Sequence, residues 1–159
     1  MSEEIKIDEN LTKEKRYIQL LPQINALIEG EQNLTTNLAQ ICAALKYSMD
    51  GFFWIGFYLV ERDELVLGPF QGPVACSRIK ITQGVCGACV ERKEPIIVPD
   101  VDKFPGHIAC SSLSKSEIVI PLFRGEEVIG VLDVDSGRYD MFDEVDRKYL
   151  EEICRIVIV

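Results

Sequence analysis

The chain has 159 residues, of which 47% are apolar and 27% charged, and this length and composition suit one folded domain with a packed core. Its formal charge of −9 argues against a DNA or RNA partner, because nucleic-acid binding needs a basic surface. The single histidine, His107, excludes metal sites that take two or three imidazoles from one chain. The acidic N-terminus has no signal-peptide pattern, and no apolar run approaches the ~20 residues that cross a bilayer. We therefore expect a cytoplasmic protein with no membrane contact.

Helices come first along the chain. Apolar residues at helical spacing predict helices over 13–29 and 33–49, with a kink or a restart at Pro22. Aromatic and β-branched residues then predict strands, which cover 52–60, 65–70 and 74–81. The later predicted elements are a helix over 84–92, a strand over 96–98, a long loop over 99–114, a hairpin of strands 117–123 and 128–135, and a helix that begins near Asp143.

Hairpins dominate this order of elements. Antiparallel neighbours are what short hairpin connections produce, so we expect a mainly antiparallel central sheet with helices packed against it. The fold class predicted is therefore α+β, in the form of an α/β sandwich. Because the chain contains no repeat and no interdomain linker, we expect one domain over 1–159.

The six cysteines divide by their surroundings. Cys42 and Cys154 lie on or beside apolar helical stripes, where a thiol behaves as a small buried hydrophobe. The other four lie in loops or at the ends of elements, and they are Cys76, Cys86, Cys89 and Cys110. Cytoplasmic thiols stay reduced unless catalysis oxidises them, so these four are candidates for chemistry rather than for a structural disulfide framework.

Three hypotheses compete for these loop cysteines. Cys86 and Cys89 have the spacing of zinc ligands, but Cys76 and Cys110 would have to complete the site from distant positions. The same pair could form a thioredoxin-type dithiol at the start of a helix, although the βαβ context of that fold is absent. A cycle in which one thiolate is oxidised and a second cysteine resolves it suits cysteines on loops around one pocket best.

Two aspartates interrupt the apolar second strand of the predicted hairpin. Asp133 and Asp135 are two residues apart and so share one face of that strand. A three-residue hairpin loop, 125–127, would place Glu117 opposite Asp135 on the same face, whereas a two-residue loop, 125–126, would place it on the other face. Clustered carboxylates raise one another's pKa, so one of the three could keep its proton near neutral pH.

Six segments together resemble one enzyme family. They are WIGFYL at 54–59, ACSRI at 75–79, GVCG at 84–87, FPGHIAC at 104–110, SEIV at 116–119 and GVLDVDS at 130–136. The set is similar to the free methionine-(R)-sulfoxide reductases, which are single-domain proteins with the GAF fold. This resemblance covers nearly the whole chain and implies a GAF domain, with 1–30 as an N-terminal helical extension.

The resemblance implies roles for three cysteines. Cys110 matches the nucleophile of the family, Cys76 its principal resolving cysteine, and Cys86 an auxiliary third cysteine. Cys89 departs from the family pattern, which has a small apolar residue there, so it receives no role. It could be a spectator or a second disulfide partner for Cys86.

The resemblance also implies a substrate pocket. Its acidic residues are Glu117, Asp133 and Asp135, and its aromatic wall is formed by Trp54 and Tyr58. The implied reaction reduces free methionine-(R)-sulfoxide through a cysteine sulfenic acid and an intramolecular disulfide. A thioredoxin-like reductant reopens the disulfide, no metal or organic cofactor is required, and a homodimer is expected by analogy.

Two questions stay open from the sequence. His107 lies three residues before Cys110 and could supply positive charge to its thiolate, or could only order the loop by hydrogen bonding. The chain could also be a GAF module that binds a small molecule, or a thiol redox sensor, without turnover. A ligand-binding module should keep its response when Cys110 is substituted, whereas a reductase should lose turnover. A redox sensor should be oxidised by peroxide and show no preference for methionine sulfoxide.

Overall fold

A computed structural model of the protein describes residues 4–108 and 110–158. The α-helices within this range are α1 (Lys13–Ile28), α2 (Leu34–Ser48), α3 (Gly84–Arg92) and α4 (Glu144–Val157). The strands are β1 (Trp54–Glu61), β2 (Glu64–Gln71), β3 (Arg78–Lys80), β4 (Ile96–Val98), β5 (Ser116–Arg124) and β6 (Glu127–Ser136). A short 3-10 turn, Val101–Lys103, lies inside the segment predicted as a long loop.

The six strands form one sheet in the order β3-β2-β1-β6-β5-β4, and every neighbouring pair is antiparallel. The predicted α+β class with a mainly antiparallel sheet is therefore confirmed. β1 and β6 lie at the centre, which makes them the strands best placed to hold a rigid site.

One face of the sheet carries the main apolar core. Ile55 and Phe57 of β1, Ile118 of β5 and Leu132 and Val134 of β6 are fully buried there with apolar residues of α1, α2 and α4. Because strand side chains alternate, the residues between them point to the opposite face, where α3 and loops pack. The two faces therefore differ: one is sealed by three helices and the other is left open for a pocket.

A buried carboxylate ties the first helix to the last. Asp146 is fully buried and accepts hydrogen bonds from Lys13 Nζ at 2.7 Å and from the Tyr17 hydroxyl at 2.7 Å. It also completes a capping box with Asp143 at the start of α4. These bonds offset the desolvation of the carboxylate, so α1 and α4 pack together as one layer.

The predicted restart at Pro22 is wrong, because α1 runs through it from Lys13 to Ile28. Proline removes the hydrogen bond to the carbonyl of Ile18, one turn earlier. Pro22 lies on the exposed side of the helix and Ile18 is 54% exposed, so water can reach that carbonyl.

The third predicted strand is shorter than expected. Pairing with β2 begins only at Arg78, and residues 74–77 form a loop instead of the first half of a strand. This correction matters because the loop contains Cys76.

The turn between β5 and β6 is shorter than predicted. Arg124 pairs with Glu127, so the turn is the two-residue Gly125-Glu126 and not the expected three-residue loop. Gly125 adopts φ +62°, which glycine tolerates without strain.

A β-bulge compensates for the shorter turn. Phe123 pairs with Val128 and Leu122 with Gly130, which leaves Ile129 as an extra residue on β6. The bulge shifts the register by one residue, so Glu117 lies opposite Asp135 after all. The predicted facing of the two carboxylates is confirmed, but the bulge produces it and not the turn.

No helix in the described ranges combines the length and the apolar character needed to cross a membrane. The single-domain bounds of 1–159 and the N-terminal extension over 1–30 stay predictions, and residues 1–3 and 159 lie outside the described ranges.

The close approach of β6 to β1 predicts the effect of a small substitution. A Cβ at Gly130, next to the bulge, would lie 2.5 Å from the Tyr58 carbonyl oxygen. We expect Gly130→Ala to force the strands apart and to lower the free energy of unfolding by about 1–3 kcal/mol in urea denaturation. Gly137→Ala is the control, because its Cβ meets its nearest atom at an ordinary 3.6 Å. Equal stability of the two variants would contradict this account.

Candidate active site

A pocket opens on the sheet face that α1, α2 and α4 leave uncovered. Residues of β1, β5 and β6 line it, together with the first turn of α3 and the loops around Cys76 and Cys110. Its volume is about 630 Å³ including its open mouth, which is within the usual range for sites that bind small molecules.

A disulfide lies at this pocket. It joins Cys76 to Cys110 across 34 residues of sequence, with their Cα atoms 5.9 Å apart. Cys110 is exposed and Cys76 half-buried, so solvent reaches the bond from the Cys110 side. The structure thus brings together two of the cysteines that the sequence singled out.

Three carboxylates lie side by side on the pocket face of the sheet. Glu117 on β5 pairs with Asp135 on β6, which pairs in turn with Trp54 on β1. Asp133 lies two residues along β6 on the same face, opposite Gly56. The side chains of Glu117 and Asp133 are buried, at 5% and 7% exposure.

Burial dominates the electrostatics of this cluster. It raises the pKa of Glu117 well above its usual range, and the charges of Asp133 and Asp135 raise it further. Burial also raises the pKa of Asp133 to about 6, against the lowering effect of hydrogen bonds from Glu117 and Cys86. The pKa of Asp135 is likewise raised by burial and by Asp133, partly offset by the bond from Ser114. Three such groups cannot all be ionised near neutral pH, so the cluster retains protons there.

One acceptor atom of the cluster is left over. Asp133 Oδ1 is buried and has no hydrogen-bond partner among the described residues. A buried, unpartnered carboxylate oxygen is costly, and a donor that enters the pocket would remove that cost. Cys86, Glu117 and Asp133 each offer a ligand atom within 4.8 Å of the others, so these three could also hold a metal ion.

The two predicted aromatic residues form one wall of the pocket. The Trp54 ring stacks on Tyr58 with their centroids 6.0 Å apart, and on Phe70 at 5.5 Å. Both side chains also donate hydrogen bonds to the loop that carries Cys76: Trp54 Nε1 to the Pro73 carbonyl at 3.0 Å and the Tyr58 hydroxyl to the Cys76 carbonyl at 2.9 Å.

His107 faces the carboxylates. Its Nε2 lies 3.8 Å from Glu117 Oε2. Burial lowers the pKa of His107, and the charge of Asp102 offsets this only in part. The protonated form that could assist a Cys110 thiolate is therefore disfavoured near neutral pH.

The remaining cysteines are buried free thiols. Cys86 and Cys89 lie on α3, and Cys89 donates to the Glu94 carbonyl at 3.3 Å. Burial raises the pKa of both thiols well above the usual range. The four-cysteine zinc site is not assembled here, because two of its thiols, Cys76 and Cys110, are joined to each other.

Sequence reasoning missed a polar residue that bonds to the carboxylate cluster. Ser114 is buried, lines the pocket and donates to Asp135 Oδ1 at 2.6 Å. Serine is common in loops, and its position between Cys110 and Glu117 was the only signal available.

Comparison with known proteins agrees with this geometry. The family model described as GAF domain matches residues 31–157. The chain is 55% identical to GAF domain-containing protein A of Dictyostelium discoideum, over 99% of each chain. It is 38% identical to the free methionine-R-sulfoxide reductase of Saccharomyces cerevisiae, over 98% of this chain and 91% of that protein.

A solved structure agrees as well. The free methionine-R-sulfoxide reductase of Neisseria meningitidis, determined in complex with its substrate, superposes with a TM-score of 0.92 at 47% identity, over 97% of this chain and 93% of that one. By sequence and by fold, this chain belongs to the GAF-domain family of free methionine-R-sulfoxide reductases.

Proposed function

We propose that this protein reduces free methionine-R-sulfoxide to methionine by a redox cycle of Cys110 and Cys76. The observation that carries the proposal is the disulfide at a pocket lined by three carboxylates, of which Glu117 and Asp133 are buried. The names of the relatives support the same substrate.

In the first step the Cys110 thiolate attacks the sulfoxide sulfur. The sulfur–oxygen bond of the substrate breaks and the oxygen ends on Cys110, so methionine sulfur gains two electrons and Cys110 loses two as it becomes a sulfenic acid. Exposure of Cys110 favours this role, because water solvates its thiolate and substrate can reach it.

The carboxylate cluster donates a proton to the sulfoxide oxygen of the substrate and binds its ammonium group. We assign the proton to Glu117, whose pKa is raised well above its usual range, and the charge to Asp133, which accepts hydrogen bonds from Glu117 and Cys86. The Glu117 proton goes to the sulfoxide oxygen. The unpartnered Asp133 Oδ1, with Asp135 beside it, accepts from the ammonium of the free amino acid.

Trp54 and Tyr58 bound the space where the thioether arm of the substrate would lie. A flat wall on one side and the cluster on the other present different surroundings to the two sulfoxide epimers. This asymmetry supports discrimination between the epimers by shape, and the names of the relatives point to the R epimer.

In the second step Cys76 attacks the sulfenic sulfur of Cys110, and water leaves. Cys86 is a weaker candidate for this step, because burial and the nearby carboxylates raise its pKa and keep it a thiol. We retain Cys86 as an auxiliary residue that donates to Asp133.

Regeneration needs a dithiol that attacks the Cys76–Cys110 bond. We propose a thioredoxin-like reductant, which reaches the disulfide from the exposed Cys110 side. No metal or organic cofactor takes part in this cycle. A cytoplasmic location and a homodimer are further predictions.

Epimer selectivity tests the substrate. With dithiothreitol as reductant, we expect turnover of free methionine-(R)-sulfoxide and little turnover of the S epimer or of peptide-bound sulfoxide, because the Asp133 position needs a free ammonium. Methionine release on separated epimers and on an oxidised peptide measures this. Equal rates on both epimers, or faster repair of the peptide, would refute the assignment.

Single-turnover chemistry separates the two cysteines. Cys110→Ser should abolish methionine release from one equivalent of substrate, whereas Cys76→Ser should still release up to one equivalent and then stop. Quantified methionine and the intact mass of the protein provide the measurement. If Cys76→Ser releases no methionine, the roles of the two cysteines are reversed. Full turnover by Cys110→Ser would instead indicate different chemistry.

The pH dependence tests the carboxylates. Asp133 loses its charge as the pH falls through about 6, so kcat/KM should decline on the acid side, and it should decline on the alkaline side as Glu117 loses its proton. Glu117→Gln should lower kcat about 100-fold and remove the alkaline decline, because an amide cannot give up a proton. Asp133→Asn should raise KM about tenfold, with a smaller change in kcat, and remove the acid decline.

The control for both variants is Glu126→Gln, an exposed carboxylate in the β5–β6 turn, which should keep the wild-type profile. Wild-type pH profiles in Glu117→Gln and Asp133→Asn would show that this cluster is not the site of chemistry.

A further inference from the structure

The loop that carries Cys76 has little backbone support. It leaves β2 after Gln71 and rejoins the sheet at Arg78, and Val74 in its middle is 88% exposed. In the described part of the chain, a backbone bond from Leu67 N reaches only the end of the loop, at the Ser77 carbonyl. Cys76 nevertheless lies where it can bond to Cys110.

Two side chains of β1 donate hydrogen bonds to carbonyl groups of this loop. Trp54 Nε1 donates to the carbonyl of Pro73 at 3.0 Å, and the Tyr58 hydroxyl donates to the carbonyl of Cys76 itself at 2.9 Å. β1 is a central strand, paired on both sides, so both donors start from a rigid base.

The Trp54 indole is itself fixed in place. It lies over Gly56 and against Phe70, and a Cβ at Gly72 would come within 2.7 Å of its ring. The side chain is only 6% exposed. In this fixed position its N–H points toward the loop and bonds to the Pro73 carbonyl.

The resolving step depends on such positioning. The Cys76 sulfur attacks the Cys110 sulfur, the S–S bond forms, the S–O bond breaks, and the hydroxyl leaves as water with the proton of the Cys76 thiol. A sulfenic acid that waits is open to other nucleophiles and to further oxidation. The intramolecular attack of Cys76 is faster than these competing reactions only when the two sulfurs are held in a reactive geometry.

We propose that Trp54 and Tyr58 are positioning residues for the resolving step, in addition to their place in the pocket wall: their hydrogen bonds hold the loop so that Cys76 meets the Cys110 sulfenic acid. This inference rests on the redox cycle proposed above. The same two aromatic residues would then line the substrate pocket and position the Cys76 thiol that forms the disulfide.

A partition experiment tests it. Reduced protein receives one equivalent of free methionine-(R)-sulfoxide in the presence of dimedone, which captures sulfenic acids, and peptide mass mapping gives the ratio of the Cys110 adduct to the Cys76–Cys110 disulfide. This ratio does not depend on how fast methionine is released. Tyr58→Phe keeps the ring and removes the hydroxyl, and should raise the ratio about fivefold, as expected for one lost hydrogen bond.

Trp54→Phe is the second variant and should raise the ratio in the same direction, and thermal melting shows that each variant is folded. Tyr47→Phe is the matched control, because Tyr47 is 85% exposed and lies outside the pocket. Cys76→Ser should give adduct and no Cys76–Cys110 disulfide.

The outcomes separate the inference from the function beneath it. If the wild type forms neither adduct nor disulfide, the proposed redox cycle fails. If the wild type forms the disulfide and Cys76→Ser forms the adduct, but folded Tyr58→Phe and Trp54→Phe partition like the wild type, the cycle stands and the positioning role is refuted. A raised ratio in both variants, with Tyr47→Phe unchanged, supports it.

Discussion

The clustering of three carboxylates on one face of the sheet, two of them buried and one half-buried, is the constraint around which this structure is organised. Removing Glu117, Asp133 and Asp135 from water opposes folding, and among the described residues no arginine or lysine lines the pocket to pair with them. Retained protons and hydrogen bonds from Cys86 and Ser114 reduce that cost without removing it. Among the described residues Asp133 still has one unpartnered oxygen, and a hydrogen-bond donor that enters the pocket would remove the cost of burying it.

The sheet can hold this cluster because one of its faces is apolar and covered by helices, while the other carries the polar pocket. On one face three helices cover a continuous apolar core, and the buried Asp146 joins the first helix to the last. That core supplies the stability that a small domain needs. The other face is then free to carry polar side chains on the rigid central strands β1 and β6, with loops supplying the thiols.

Burial also distinguishes the four free thiols from the two cysteines of the disulfide. Cys110 is exposed and Cys76 half-buried, and these two form the disulfide. The other four are buried, and desolvation raises the pKa of each: to about 12 for Cys42, and well above the usual range for Cys86, Cys89 and Cys154. Since the thiolate is the reactive form, burial keeps these four thiols out of the proposed cycle of Cys76 and Cys110. Cys89, which departs from the family pattern, is held as a thiol by burial and by its bond to Glu94.

The sequence alone determined what depends on neighbours along the chain. Helical and alternating apolar spacing predicted the elements and the α+β class, and the spacing of Asp133 and Asp135 placed them on one strand face. Tertiary structure decided the rest. The bulge at Ile129 sets which residue faces Glu117, and Trp54 and Tyr58 bond to the Cys76 loop. Both depend on contacts between strands that are distant in sequence, and no local pattern records a register or a hydrogen bond that forms only when the sheet assembles.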